Sequence, residues 1–510
     1  MNTVMKSSIL EHVPTVLVFR VGQQIIPTPM IARTRIVILM WVGWLLASLS
    51  FAQSPVMLTI DTQSHGWAIP TDFAGLSFET WAQLPNRSGV SGCLFSPTNV
   101  QLITLFTNSG IRHLRLGGGT VDGLHAAEPS RSDIDSLFNF ARASGVRVLY
   151  SLRLLNGDAA DDAATAKYIW THYRPWLDCF AIGNEPNEPP YRRTPVGAIT
   201  NYASYLAAWR TFAAAITNAV PDAKFAGPEA GGTDWVTDFA RDERSSGMVV
   251  LITQHEYAGG PPLINRGHNE MPPSQAIDKM LSRNWLTNEY LRFYGQTLAN
   301  VLKEGLSCRM TEANDYLRGV TNASNAFASA LWALDFLHWW AEHGCAGVNF
   351  HNNQHTYWLK TDTVYLDGRT REYQINPKAY AIRAFDLGSQ GWVEPVGIEN
   401  VDSLNLTAYA VGDATDLYVT VINKEHGAGA RDATVTIVLQ PRSFKSARVM
   451  FLTAGNGDAG ANDGITLGGA PITNNAEWRG RWQALRQVGN QLCRVSVRAT
   501  SAAILELSLE

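Results

Sequence analysis

The chain has 510 residues, 45% of them apolar and 17% charged, with a formal net charge of −4. That composition excludes an intrinsically disordered chain, and the length is a prior for two or more domains. The small net charge, without a long Lys/Arg run, points away from nucleic acid or a membrane surface as partner. The 16 Trp and 16 Tyr serve mainly as core, and they also suit a carbohydrate site with aromatic platforms.

At the N-terminus, Arg33 and Arg35 precede an apolar run from Ile36 to Leu46, followed by Ser50-Phe51-Ala52-Gln53. A basic segment, an apolar segment and small residues before a cleavage point form the pattern of a secretory signal peptide. The run is shorter than the roughly 20 apolar residues of a membrane span, so an N-terminal anchor is the alternative. Met30 is a candidate start. Residues 1–52 are set aside as the signal region, and the mature protein is expected outside the cytoplasm, secreted or periplasmic. Five cysteines, Cys93, Cys179, Cys308, Cys345 and Cys493, form neither a disulfide scaffold nor a zinc pattern. A Cys308–Cys345 bridge stays open.

From 71 to 388 the pattern alternates strand and helix. Strand one is Ala74 to Glu79. A helix capped at Ser96-Pro97 ends at Gly110. Strand two is Ile111 to Leu116. The helix from Ser130 to Gly145 leads into strand three, Val146 to Leu155. The helix from Asp161 to Tyr173 leads into strand four, Phe180 to Asn184. Ile199, Tyr202, Tyr205, Leu206, Trp209, Phe212, Ala213 and Ile216 make one apolar helical stripe. Strand five is Ala223 to Gly227 and strand six is Met248 to Gln254. A long insertion and helix end at Gly305, before strand seven, Leu306 to Thr311. An apolar helix spans Asn322 to His343. Strand eight is Ala346 to Phe350, and Asn376-Pro377 starts the eighth helix. Eight such units predict an α/β fold, a (β/α)₈ TIM barrel.

After 389 the periodicity becomes that of strands: Leu404 to Tyr409, Leu417 to Val421, Ala433 to Leu439, Ala447 to Leu452 and Cys493 to Leu509. Asn/Gly/Asp clusters separate them, which predicts an antiparallel β-sandwich. Val56 to Ile60 has no helix partner and is assigned to the same domain. The expected organisation is a barrel over 71–388 and a discontinuous β-domain of 53–70 plus 389–510.

Barrel chemistry belongs at the C-terminal ends of strands. Strand one ends at Glu79, and strand two in Gly117-Gly118-Gly119-Thr120-Val121-Asp122. Strand four ends in Asn184-Glu185-Pro186-Asn187, and strand six in His255-Glu256-Tyr257. Strand seven ends in Thr311-Glu312-Ala313-Asn314, and strand eight in His351-Asn352-Asn353. Ionisable groups after apolar strands are costly unless they face a polar pocket. Glu185 and Glu312 stand out, because glycoside hydrolysis needs one protonated and one ionised carboxyl flanking the bond. Taken singly, Glu185 also reads as a carboxylate in a tight Pro turn, and Glu312 as a buried Glu paired with Arg309. Their joint placement on strands four and seven, across the mouth, favours catalysis. That placement can bring the carboxyls to about 5–5.5 Å, the retaining separation. The Gly117-Gly118-Gly119 run lacks the residues of a phosphate loop. His255 also reads as a core histidine, and Tyr316 and Tyr357 as packing aromatics.

Asn-Glu-Pro ending strand four, with a Glu ending strand seven, resembles the clan A retaining glycoside hydrolases. His113-Leu114-Arg115-Leu116-Gly117-Gly118, Ala181 to Asn187, Gln254-His255-Glu256-Tyr257 and the C-terminal β-domain resemble family 79, the β-glucuronidases and heparanases. The resemblance implies Glu185 as acid/base, Glu312 as nucleophile, Asn184 as ligand of the sugar 2-hydroxyl and Tyr257 as hydrogen-bond partner of the nucleophile. It places Glu79, Asp122, His255, Tyr316, His351 and Tyr357 among substrate-binding groups. Glu229 stands where relatives often carry Asp. A heparin-cleaving enzyme would need a basic patch, and its absence favours small β-glucuronides. The expected activity is an exo-β-glucuronidase acting by double displacement, with no cofactor and no metal. A β-glucosidase or β-xylosidase, or a non-catalytic carbohydrate-binding protein, are the alternatives.

Overall fold

In the computed structural model, residues 55–87, 91–123, 127–188, 199–260, 264–265, 268–269, 271–352, 361–401 and 404–510 are described. The signal region 1–52 and Tyr357 lie outside them. Eight parallel strands close into a barrel: Ala74–Glu79, His113–Gly117, Arg147–Leu152, Leu177–Ile182, Phe225–Gly231, Val249–Tyr257, Ser307–Asn314 and Gly347–Asn352. These are barrel strands one to eight below. Strand eight closes on strand one with Val348 opposite Ala74 and Asn352 opposite Phe78. Strand one is buried along its whole length, as expected where side chains fill the barrel on one face and meet helices on the other.

Local chemistry explains most helix ends. Ser130 and Asp133 form a reciprocal capping box on helix Arg131–Ser144, which stops at Gly145 with φ 77°. Asn201 and Ser204 do the same for Tyr202–Ala219. Two starts differ from expectation. The first barrel helix is Val100–Asn108, capped by Asn99 accepting from the Leu102 N–H at 3.3 Å. Ser96 instead accepts the Thr98 N–H and sits in a preceding turn. The seventh helix begins at Phe327 rather than Asn322. The Ser324 hydroxyl accepts from Val320 N–H, and the Asn325 side chain accepts from Asn322 N–H. Such side-chain bonds compete with helix. The freed N–H groups of Phe327 and Ala328 donate to the carbonyls of Ala461 and Ala459, far along the chain.

Two sheets form the β-domain. One orders Val396–Glu399, Val56–Asp61, Ala433–Gln440 and Leu492–Val497. The other is built on Trp392–Glu394, Leu406–Gly412, Asp416–Asn423, Ser501–Leu509 and Phe444–Thr453, in that order. Leu58, Ile437, Val419, Leu505 and Val495 meet in the core between them. Val56–Asp61 pairs parallel to Ala433–Gln440, while its other neighbour is antiparallel. It arrives without a hairpin, so no tight turn fixes its direction.

The barrel meets this domain through Asp335 on the seventh helix. Lys424 Nζ, Thr407 Oγ1 and the Tyr409 hydroxyl donate to its carboxylate at 2.7, 2.6 and 2.9 Å. All five cysteines are free thiols. Cys345 Sγ donates to the Cys308 carbonyl at 3.3 Å, so the bridge considered from sequence is not formed. No described helix is long and apolar enough to cross a membrane.

Candidate active site

Period-two alternation brings polar residues to the barrel mouth from six strands. Ser77 and Glu79 come from strand one, Arg115 from strand two and Glu229 from strand five. His255 and Tyr257 come from strand six, Glu312 from strand seven and His351 from strand eight. Asn184 and Glu185 follow strand four.

Arg115 is the hub. It is fully buried. One terminal nitrogen donates to Ser77 Oγ at 3.1 Å and to Glu312 Oε2 at 2.9 Å. The other donates to Asn184 Oδ1 at 2.7 Å and to the Glu229 carboxylate. A planar fork is suited to such bridging. Burial works against ionisation of Glu229, but Arg115 and His255 overcome it and hold this carboxyl at about 2. Arg309, the partner that a purely packing role for Glu312 would require, instead bonds Asn349 and the carbonyls of Phe73 and Asp72.

Glu312 is 7% exposed. The Tyr257 hydroxyl donates to its Oε1 at 2.5 Å, and ring nitrogens of His255 and His351 lie 3.7 Å from Oε2. Burial penalises its charge, yet His351, His255, Arg115 and Tyr257 together hold it well below the usual carboxylate range. His255 Nδ1 lies 2.9 Å from Glu185 Oε1, and Nε2 lies 3.4 Å from Glu229. Burial lowers the His255 pKa, while Glu312 and bonds to Glu185 and Glu229 raise it to about 10. His255 is therefore imidazolium at neutral pH, donating from both nitrogens. The same contest, burial against Glu312 and Glu79, leaves His351 raised.

Glu185 stands opposite. An oxygen of Glu185, an oxygen of Glu312 and a His255 nitrogen all lie within 4.8 Å of one another. Glu185 has φ 47° and Glu229 φ 58°, a left-handed region that non-glycine residues enter at a cost and that clusters at functional sites. The Glu185 N–H donates to the Glu229 carbonyl at 2.7 Å, which locks the two turns together. Glu185 is the more open carboxylate: its side chain is 31% exposed and lines a cleft of about 1340 Å³.

The other expected residues take varied places. Glu79 accepts from the Thr120 N–H and hydroxyl at 2.8 and 2.7 Å and faces His351 Nε2 at 3.6 Å. A Cβ on Gly118 would come within 2.5 Å of the Glu79 carboxyl, so that glycine makes room for Glu79. Asp122 lines the cleft, but its oxygens accept the N–H groups of Leu154, Leu155 and Asn184 at 2.8 Å each. It positions Asn184. Burial pushes Asp122 up to about 6 against those three bonds. Tyr316 is fully buried in the loop after strand seven, packed against Trp285, and its hydroxyl donates to the Ala276 carbonyl at 3.0 Å, so it is not offered to substrate. Arg115 and Glu229 received no site role from sequence. The signal available was a lone charge in the apolar run from His113 to Gly117, which demands buried partners.

Residues 408–504 match the glycosyl hydrolase family 79 C-terminal beta domain. No curated protein matches the chain in sequence. Among solved structures, the chain is similar to a 4-O-α-L-rhamnosyl-β-D-glucuronidase from Fusarium oxysporum 12S, at 16% identity and TM-score 0.67. That match covers 88% of this chain and 99% of the other. It is also similar to a family 51 arabinofuranosidase from Xanthomonas axonopodis pv. citri, at 14% identity, TM-score 0.60, and 89% and 99% coverage. A monomeric β-xylosidase from Caulobacter crescentus CB15 matches at 16% identity, TM-score 0.57, and 89% and 99% coverage. Residues 408–504 thus match a glycosyl hydrolase family 79 C-terminal beta domain, and the chain shares the overall fold of these solved glycoside hydrolase structures.

Proposed function

We propose that the protein is an exported, retaining exo-β-glucuronidase. Glu312 attacks the anomeric carbon while Glu185 protonates the departing oxygen. Glu185 then takes a proton from water, which hydrolyses the glycosyl ester on Glu312. The observation that carries this reading is the approach of Glu185 and Glu312 oxygens to within 4.8 Å. Retaining enzymes hold their carboxyls about 5–5.5 Å apart, and inverting ones about 6.5–9.5 Å. The two carboxyls also sit in different environments. Glu312 is surrounded by Arg115, two histidines and a tyrosine hydroxyl that favour the ionised nucleophile. Glu185 opens onto the cleft where a leaving group and water can reach it.

The glucuronide is supported by the family 79 domain and by the glucuronidase named among the similar structures. A small recess beside strand seven holds Arg318, Tyr257 and Thr361 as donors for a C5 carboxylate, with Asp315 and Asp362 in the same lining opposing it. A second reading, a neutral β-glycosidase such as a β-xylosidase, is favoured by the burial of Tyr316, which removes one expected carboxylate donor. Export rests on the Arg33 to Ala52 pattern.

A panel of chromogenic β-glycosides tests the substrate. Preference for β-glucuronide is expected, and preference for β-glucoside or β-xyloside would overturn it. Proton NMR early in hydrolysis should show the β-anomer; first appearance of the α-anomer would refute retention. Glu312→Gln should abolish turnover on every substrate. Glu185→Gln should impair poor leaving groups far more than activated aryl ones, because only the former need protonation.

A further inference from the structure

Glu229 is a fully buried carboxylate that the two-glutamate reaction does not itself use. It stands where strand five carries one residue more than its neighbour. Gly227 is opposite Ile252 and Ala230 opposite Gln254, so three steps on strand five match two on strand six. A bulge of this kind re-aims a side chain and is common beside active sites. The Glu229 N–H leaves the ladder and donates to Thr253 Oγ1 at 2.9 Å. With the positive φ of Glu229, the strand bends at a cost to hold one carboxyl in one place.

That place is behind His255. The ring is held at both nitrogens. Nδ1 lies 2.9 Å from Glu185 Oε1 and 3.7 Å from Glu312 Oε2, and Nε2 lies 3.4 Å from Glu229 Oε2. The other neighbour of Nε2 is the Arg115 guanidinium at 3.5 Å, which has donors only. The acceptors around the ring are carboxylates, so both nitrogens carry protons. Glu229, which also accepts from Arg115, is the anion set between the two cations. Cys179 and Tyr205 lie in electrostatic reach of Glu229, and Tyr257 in reach of Glu185; burial keeps all three neutral.

We propose that Glu229 is a positioning residue for the acid/base: by anchoring His255 at Nε2 it fixes the Nδ1–H that donates to Glu185, and that donor eases transfer of the Glu185 proton to the departing oxygen. This rests on the assignment of Glu185 as acid/base. As the glycosidic bond breaks, the Glu185 O–H bond breaks with it. The leaving oxygen takes the proton, and the electron pair stays on a carboxylate already met by an N–H. His255 keeps both its protons throughout. The backbone supports the same alignment, since the Glu185 N–H donates to the Glu229 carbonyl at 2.7 Å.

The test measures kcat/KM for aryl β-glucuronides whose leaving groups run from dinitrophenol to phenol. Glu229→Gln keeps the shape and an acceptor for Arg115 but removes the charge. It should lower kcat/KM about tenfold for the phenyl substrate, the worth of one hydrogen bond to a charged group. The dinitrophenyl substrate, whose departure needs no proton, should change by less than about twofold. The alkaline limb of the phenyl profile should move up by about one pH unit, because this step needs protonated Glu185 and the lost donor had favoured the ionised form. Glu229→Asp keeps the charge but draws it back by one methylene. It should cost the phenyl substrate more than the dinitrophenyl one, with the limb held within about half a unit, and it decides alone should the Gln variant not fold. His255→Phe should reproduce the leaving-group dependence, and adding Glu229→Gln to it should change phenyl turnover by less than about twofold, since the effect travels through the ring. Equal losses across leaving groups, an alkaline limb that stays in place in Glu229→Gln, or losses that add in full in the double variant would overturn the proposal. If the wild type cleaves no glucuronide, the same series is measured on the β-glycoside it does cleave. If Glu185→Gln itself shows no leaving-group dependence, the acid/base reading fails and takes the role of Glu229 with it; a Glu185 that passes beside a Glu229 that does not overturns the role of Glu229 alone.

Discussion

Replacing Arg115 by Met removes the cation shared by two buried carboxylates while keeping most of the side-chain volume. Glu229, fully buried, would be left with His255 Nε2 at 3.4 Å. Glu312 would keep the Tyr257 hydroxyl and two imidazoles at 3.7 Å. Removing one partner of a buried pair costs about 3–5 kcal/mol. Protonation sets a ceiling: neutralising one glutamate at pH 7 costs about 1.36 kcal/mol for each unit above roughly 4.3, or about 4 kcal/mol. A loss of about 3–5 kcal/mol at pH 7 is therefore expected. The loss should depend on pH. In the wild type both glutamates have depressed folded pKa values, about 2 for Glu229 and lower for Glu312. They contribute stability that is present above their unfolded pKa and lost as pH falls through the folded one. In Arg115→Met those folded values rise, so the deficit is full at pH 7 and shrinks towards pH 4.5. Urea unfolding at the two pH values, read by tryptophan fluorescence, gives both numbers. A deficit under about 1 kcal/mol at pH 7, or one equal at both pH values, would refute the assignment of Arg115 as the charge that holds Glu229 and Glu312 ionised.

Tyr257→Phe removes the 2.5 Å bond to Glu312 and should lower kcat/KM by roughly tenfold to a hundredfold, the worth of a bond to a charged group; a change under twofold would detach Tyr257 from the nucleophile. Asp335→Ala leaves Lys424 buried without its carboxylate at the barrel–sandwich contact and should cost about 3–5 kcal/mol in urea unfolding, with kcat of the folded fraction unchanged, because Asp335 does not line the cleft. Mass spectrometry of the exported protein should find an N-terminus near Gln53; an intact, membrane-retained N-terminus would replace the signal peptide with an anchor.

Sequence alone carried the barrel, because apolar strand runs, capping residues and Gly stops are local signals. Ser130, Asp133 and Gly145 fix one helix by themselves, and the observed boundaries agree there. It also carried the position of Glu185 and Glu312, since a barrel presents strand ends at one mouth whatever the side-chain detail. It missed the start of the seventh helix, where Ala459 and Ala461 complete the first turn. It missed the parallel pairing of Val56–Asp61, which no turn announces. Tyr316 reads the same in sequence whether its hydroxyl meets substrate or the Ala276 carbonyl, and only packing decided between them. Arg115 is the clearest case. Its partners Ser77, Asn184, Glu229 and Glu312 lie 38, 69, 114 and 197 residues away. Periodicity places each of them on a strand or at its end, but a buried charge is paired through space, and only closure of the barrel brings those four side chains to one guanidinium.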